Sequence, residues 1–187
     1  MLLWAAGVGC VAGLVGSASA ATLLALDLGQ LVKQSDLVVV AKAEAQRSRR
    51  TPADGMIVTD VTLRVLTSLK GSTKPGAAIV ATVLGGSVGD LGLRVPGEAS
   101  FPEDQSAIVF LRREANSGEF AVTGMSQGVL PIRGTGQAAL VMPGGAAAEL
   151  VQHDGDGALR PAPDALLHPK SLHTVLGEIQ RLVSGTP

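Results

Sequence analysis

The sequence has no Tyr, one Cys, one Trp and three Phe among its 187 residues. So few aromatics cannot build the stacked platforms with which proteins hold single-stranded nucleic acid. Cationic charge is also scarce. The 15 Lys and Arg are balanced by 16 Asp and Glu, a net charge of −1, so no basic field draws a polyanion. A single Cys excludes both a disulfide scaffold and a Cys-rich zinc site. Charged residues make up only 17%, but hydrophobic residues reach 46%, too many for a disordered chain. What is abundant is Gly and Pro, 24 and 10 residues. Together they form about 18% of the chain, against about 12% in an average protein. These figures describe a folded domain with many turns.

Basic residues are missing from the whole N-terminus: the first is Lys33, and Asp27 is the only charge before it. Leu2 to Val15 is an apolar stretch rich in Leu, Val, Ala and Gly, followed by Gly16-Ser17-Ala18-Ser19-Ala20-Ala21. Ala18 and Ala20 fit the shallow pockets of a signal peptidase. Residues 1–20 are therefore read as a signal peptide cleaved after Ala20, which sends the protein to the periplasm or the medium. The stretch is shorter than the ~20 apolar residues of a membrane span, so membrane contact is expected only during export. The signal departs from the usual pattern in opening without Lys or Arg. A buried helix is the competing reading, but Gly7, Gly9, Gly13 and Gly16 would each weaken it by about 1 kcal/mol. Cys10 lacks the Leu three residues upstream that lipidation requires. It is discarded with the signal, which leaves a mature chain without Cys.

The mature chain alternates between apolar runs and turn chemistry. A short helix is expected within 24–34, ahead of the strand that starts at Leu37-Val38-Val39-Val40-Ala41. From Ile57 to Leu69 every second residue is apolar or Thr, the period of a strand with one wet face. Further strands are read at Ala78 to Leu84, Ala107 to Leu111, Phe120 to Thr123 and Val129 to Arg133. The last three are taken as a meander. A weaker hairpin is read from 137–142 to 148–152, across Pro143-Gly144-Gly145. Leu172, Val175, Leu176, Ile179, Leu182 and Val183 then recur at helical spacing, between Pro169 and Gly185. The expected organisation is a β-barrel-like domain over 21–152, a linker over 153–169 and a C-terminal amphipathic helix over 170–184 packed on the domain. The fold class is mainly β, a small antiparallel barrel with a short N-terminal helix; a barrel leaves no exposed strand edge.

Several motifs invite a chemical reading. Gly124-Met125-Ser126-Gln127-Gly128 matches G-x-S-x-G, with Asp154 or Asp164 and then His168 or His173 downstream in hydrolase order. That motif needs a strand, a strained turn and a helix. Here Val129-Leu130-Pro131-Ile132 cannot begin a helix, so the motif reads as a turn. Gly71 to Gly76 and Gly85 to Asp90 are Gly-rich, but neither opens a helix whose N-terminus would hold phosphate. His153 beside Asp154 and Asp156 lacks the later ligands of a calcium loop. No cofactor and no metal are expected. Arg47, Arg49 and Arg50 cluster at a loop tip, and Arg94 lies in the long connection between Gly85 and Asp104. These four are the candidate partner-binding residues.

One layout is familiar: Ser35-Asp36-Leu37-Val38-Val39-Val40-Ala41-Lys42-Ala43, then Thr59 to Val65 leading into Leu69-Lys70-Gly71, then Phe110-Leu111 and Gly118-Glu119-Phe120. It resembles the netrin-like domains of tissue inhibitors of metalloproteinases. With Gly85-Gly86, Pro96-Gly97, Phe101 and Gln127-Gly128 it resembles still more a group of uncharacterised exported bacterial proteins. The similarity covers roughly residues 30–133. It implies an OB-type five-stranded barrel and no activity. The inhibitors chelate zinc through an N-terminal Cys, and the mature chain expected here starts Ala21-Thr22.

The expected function is a non-catalytic binding or interaction module, exported, whose partner is a protein or small ligand outside the cytoplasm and not nucleic acid. A secreted serine hydrolase using Ser126 and a protease inhibitor acting through a loop are the alternatives.

Overall fold

The computed structural model describes residues 21–115, 117–144, 148–163 and 168–185. The signal peptide expected over 1–20, and Asp164, lie outside the described residues. In chain order the elements are β1 (Ala21–Leu24), α1 (Leu28–Gln34), β2 (Leu37–Arg50), β3 (Ile57–Lys70), β4 (Ala78–Leu84), β5 (Gly86–Val88) and β6 (Leu91–Leu93). Then follow β7 (Ser106–Arg113), β8 (Phe120–Val122), β9 (Val129–Arg133), β10 (Leu140–Val141), β11 (Ala148–His153), β12 (Leu159–Pro161), β13 (Lys170–Ser171) and α2 (Leu172–Ser184).

Five strands close a ring. β2 pairs with β3 and β3 with β4, both antiparallel. β4 pairs parallel with β8, β8 antiparallel with β7, and β7 antiparallel with β2. The chain is thus mainly β, a small barrel with a short helix early and an amphipathic helix late. One of the five pairings is parallel, because β8 reaches β4 only after a hairpin from β7.

The apolar pattern explains this closure. Val39, Val61, Leu63, Val65, Val109 and Leu111 fill the barrel interior. Val38, Val40, Ile108 and Phe110 point the other way and are covered by Leu31, Val175 and Ile179 of the two helices. The Leu37–Ala41 run is continuous because β2 is buried on both faces there. On β3 the alternation holds through Val65, then fails. Register shifts between Val38 and Val39 and between Val40 and Ala41 turn Thr67 outward, while Leu69 packs under the helices.

Each helix is fixed by its ends. Asp27 caps α1 in a capping box: its carboxylate accepts from the Gln30 N–H at 2.7 Å, and Gln30 accepts from the Asp27 N–H at 2.8 Å. At the other end the Lys70 ammonium donates to the Val32 and Ser35 carbonyls at 2.7 and 2.6 Å, so β3 supplies the cap. Ser171 caps α2, and Gly185 ends it in the left-handed region.

Three expectations need correction. The hairpin from 137–142 to 148–152 does not form. β10 pairs with β9 and β13, while β11 lies between β1, in parallel, and β12. The reason is that the N-terminal strand supplies β11 with a partner distant in sequence. The linker expected over 153–169 begins instead as a hairpin. Asp154 accepts from the Asp156 and Ala158 N–H groups and from Arg160, which turns the chain into β12. Finally, β8 and β9 are not successive strands of a meander. Both lie along one edge of β7, opposite Leu111–Arg113 and Ala107–Val109 respectively.

Candidate functional site

The long connection from Gly85 to Asp104 is the main irregular feature on the barrel, and it is firmly held. Its β5–β6 hairpin lies against β2 and β3, where the Ser87 N–H donates to Ser48 Oγ and Thr59 Oγ1 donates to the Gly85 carbonyl. Gly86 sits at φ +125°, and a Cβ there would collide with the Ser48 and Thr59 hydroxyls, so only glycine fits. Ala99 and Phe101 are buried in the barrel core. Gln46 donates to the Phe101 carbonyl at 2.8 Å, and Lys42 pairs with Asp104 at 2.7 Å.

Between this connection and the barrel lies a groove. Its broadest section, about 610 Å³, runs from Leu84 to Ser100 and includes Gly85, Gly86, Arg94 and Gly97. A second section of about 330 Å³ continues toward Gln46 and Phe101. A third, about 320 Å³, lies over the β4–β8 seam and includes Thr82, Arg112, Glu114, Glu119 and Met125. All three share Leu84. Volumes of about 300–1,000 Å³ are typical of ligand sites. Gly85, Gly86 and Gly97 in its lining place no side chain in the broad section.

The four arginines separate. Arg49 is committed to structure: it donates to Asp60 at 2.6 Å and to Glu119 at 2.8 Å, while Thr82 donates to the other Asp60 oxygen at 3.0 Å. The bond to Asp60 holds the Arg49 proton more firmly than usual. Arg50 makes one long bond of 3.4 Å to the Gly55 carbonyl. Arg47 is exposed on the outer face of β2. Arg94 is exposed and lines the broad groove, to whose lining Arg47, Arg49 and Arg50 do not belong. Sequence reasoning missed Glu98 and Glu119. Nothing in their local sequence sets them apart, since each acts on an element distant along the chain.

No protein-family model and no curated protein matches this sequence.

The G-x-S-x-G segment holds the N-terminal segment to the barrel. Met125–Gly128 is a single 3-10 turn running straight into β9, so no α-helix follows Ser126. Ser126 Oγ is buried and has no hydrogen-bond partner among the described residues. A nucleophile needs a base within about 3 Å. The working side chain is Gln127, which is buried. Its Oε1 accepts from the Leu26 N–H at 2.8 Å, and its Nε2 donates to the Leu24 carbonyl at 3.0 Å. One amide thus pairs with the N-terminal segment as a neighbouring strand would. Gly124, at φ +69°, lies so close to Leu26 and Leu31 that a Cβ would strike the Leu26 side chain at 2.6 Å. The whole turn is a clasp for residues 24–31.

The remaining motifs are placed as follows. Neither Gly71–Gly76 nor Gly85–Asp90 precedes a helix. His153 lies 3.0 Å from the Gly157 carbonyl, within its own turn. His168 lines a small apolar cavity between the helices and β9, and His173 is exposed on α2. Among the described residues no three His, Cys, Asp or Glu side chains gather to hold a metal ion.

Proposed function

We propose that this protein is an exported, non-catalytic binding module on an OB-type barrel, and that it takes a partner protein or small ligand in the groove beneath the 85–104 connection. The observation that carries the reading is the groove itself: three adjoining sections built on a connection that the barrel anchors at both ends. The order of the five ring strands supports the OB-type reading, with the third and fifth in parallel, as does Phe101 plugging the interior. OB-type barrels use one face and adjoining loops for binding, so the analogy bears on where binding occurs and not on what is bound. The short apolar N-terminal stretch supports export. The Ser126 hydroxyl, buried and without a partner among the described residues, supports binding over hydrolysis.

Recovery of partners from periplasm or culture medium tests this. Wild-type protein should retain a defined species that Ser100→Trp, which fills the groove from an exposed position, does not. Equal recovery by both proteins, or nothing above background, would overturn the reading.

A further inference from the structure

The third groove section has a structure that specifies its occupant further. β4 and β8 are in register over only two residue pairs, Ala81 with Phe120 and Thr82 with Ala121. Past Thr82 the two strands separate. Among the described residues no strand pairs with that edge of β4. The Leu84 N–H, which such a strand would accept from, instead reaches the Glu98 carboxylate at 3.3 Å. This is longer than the ~2.9 Å of a well-formed N–H···O bond, so Glu98 is a weak and replaceable substitute. The floor between the strands is apolar, formed by Val83, Ala121, Val122 and Met125. The rim is acidic. Glu98, Glu114 and Glu119 border it, and Asp60 stands behind Arg49; among the described residues Arg112 pairs with Glu114, Arg49 with Asp60 and Glu119, and Arg113 lies 4.4 Å over the Phe120 ring, which leaves Glu98 outside these ion pairs.

From this we infer that the seam binds an extended peptide segment carrying a lysine or arginine, which adds as a strand to the free edge of β4. Strand addition supplies main-chain bonds to Leu84, alternate side chains enter the apolar floor, and the acidic rim selects a cation. The inference rests on the reading of the protein as a binding module and names the class of partner that the seam fits. The section shares Leu84 and Glu98 with the broad section, which leaves space beyond the seam for the rest of an extended chain.

The test uses blocked nonapeptides of alternating valine and serine with lysine, glutamine or glutamate at the centre. Binding to the full mature chain is followed by fluorescence anisotropy at low and high salt. The lysine peptide should bind about tenfold tighter than the glutamate peptide and weaken with salt. Glu114→Lys, with an unchanged circular dichroism spectrum, should erase that preference, and the Leu84 amide should exchange more slowly in the complex. Equal binding of the lysine and glutamate peptides, or no binding to folded protein, overturns the inference. The binding-module reading falls separately, if wild type and Ser100→Trp recover the same material.

Discussion

At the residue scale, Gln127 and Ser126 are adjacent in one motif and differ completely in consequence. Gln127→Ala removes a buried amide and leaves the Leu24 carbonyl and Leu26 N–H without their partner. The Gln127 side chain is buried but Leu24 is exposed, so water replaces part of what is lost, and urea unfolding should show a loss of about 1 kcal/mol. Hydrogen exchange should show the Leu26 amide losing protection before the barrel does. Ser126→Ala removes a hydroxyl that has no partner among the described residues, and should leave stability unchanged or slightly raised. Wild-type protein should not react with a fluorophosphonate probe; labelling lost in Ser126→Ala would restore the hydrolase alternative. The exposed carboxylates carry a pH signature. Arg64 holds the Glu44 carboxyl below its ordinary 4.5 through a two-oxygen bond, and Arg160 holds Asp154 below 3.8. Lys42 lowers Asp104 and the Thr51 hydroxyl lowers Asp54 in the same way. Carboxylates held low favour the folded state above their ordinary values. That contribution should be complete above about pH 5 and fade as acid drops the pH through 4.5 and below, as thermal melts across pH 3–6 would show.

At the element scale, two features decide which segments pack and which only connect. The first is double burial: β2 and β7 face the barrel core on one side and α1 and α2 on the other. Ile179 is fully buried in the second layer, so Ile179→Ala should cost about 2–5 kcal/mol, measured by denaturant unfolding. The second is capping. Local signals made both helices legible in sequence: α2 through its apolar spacing with Pro169 and Gly185, α1 through the apolar stretch before Lys33. The β3 alternation and the continuous run in β2 were legible for the same reason, since both encode burial directly. The false hairpin at β10 and β11 shows the limit. Two short apolar stretches flanking Pro-Gly-Gly read as neighbours, but β10 turned back on β9 just before it, and β11 took β1, far away in sequence, and β12. No local pattern announces that β1 will lie beside β11. Arg49 is a similar case at the site. Its position in a basic tip suggested a partner contact, and Asp60 and Glu119, one on β3 and one before β8, had already claimed it.

At the scale of the whole molecule, the barrel is a scaffold whose ring is complete but whose seam is short. Four of its five pairings are antiparallel, and the fifth, β4 with β8, spans two residue pairs and opens into the groove. Around that opening the chain places its longest irregular connection, its acidic rim and Arg94, while the opposite side is closed by two helices. The most direct measurement is site-specific photo-crosslinking of the folded protein, with the crosslinker placed in turn at Arg94 and Ser100 in the groove and at Arg181 on α2. The account predicts a discrete adduct from both groove positions and none from Arg181. Adducts from Arg181 alone, or from no position in folded protein, would contradict it.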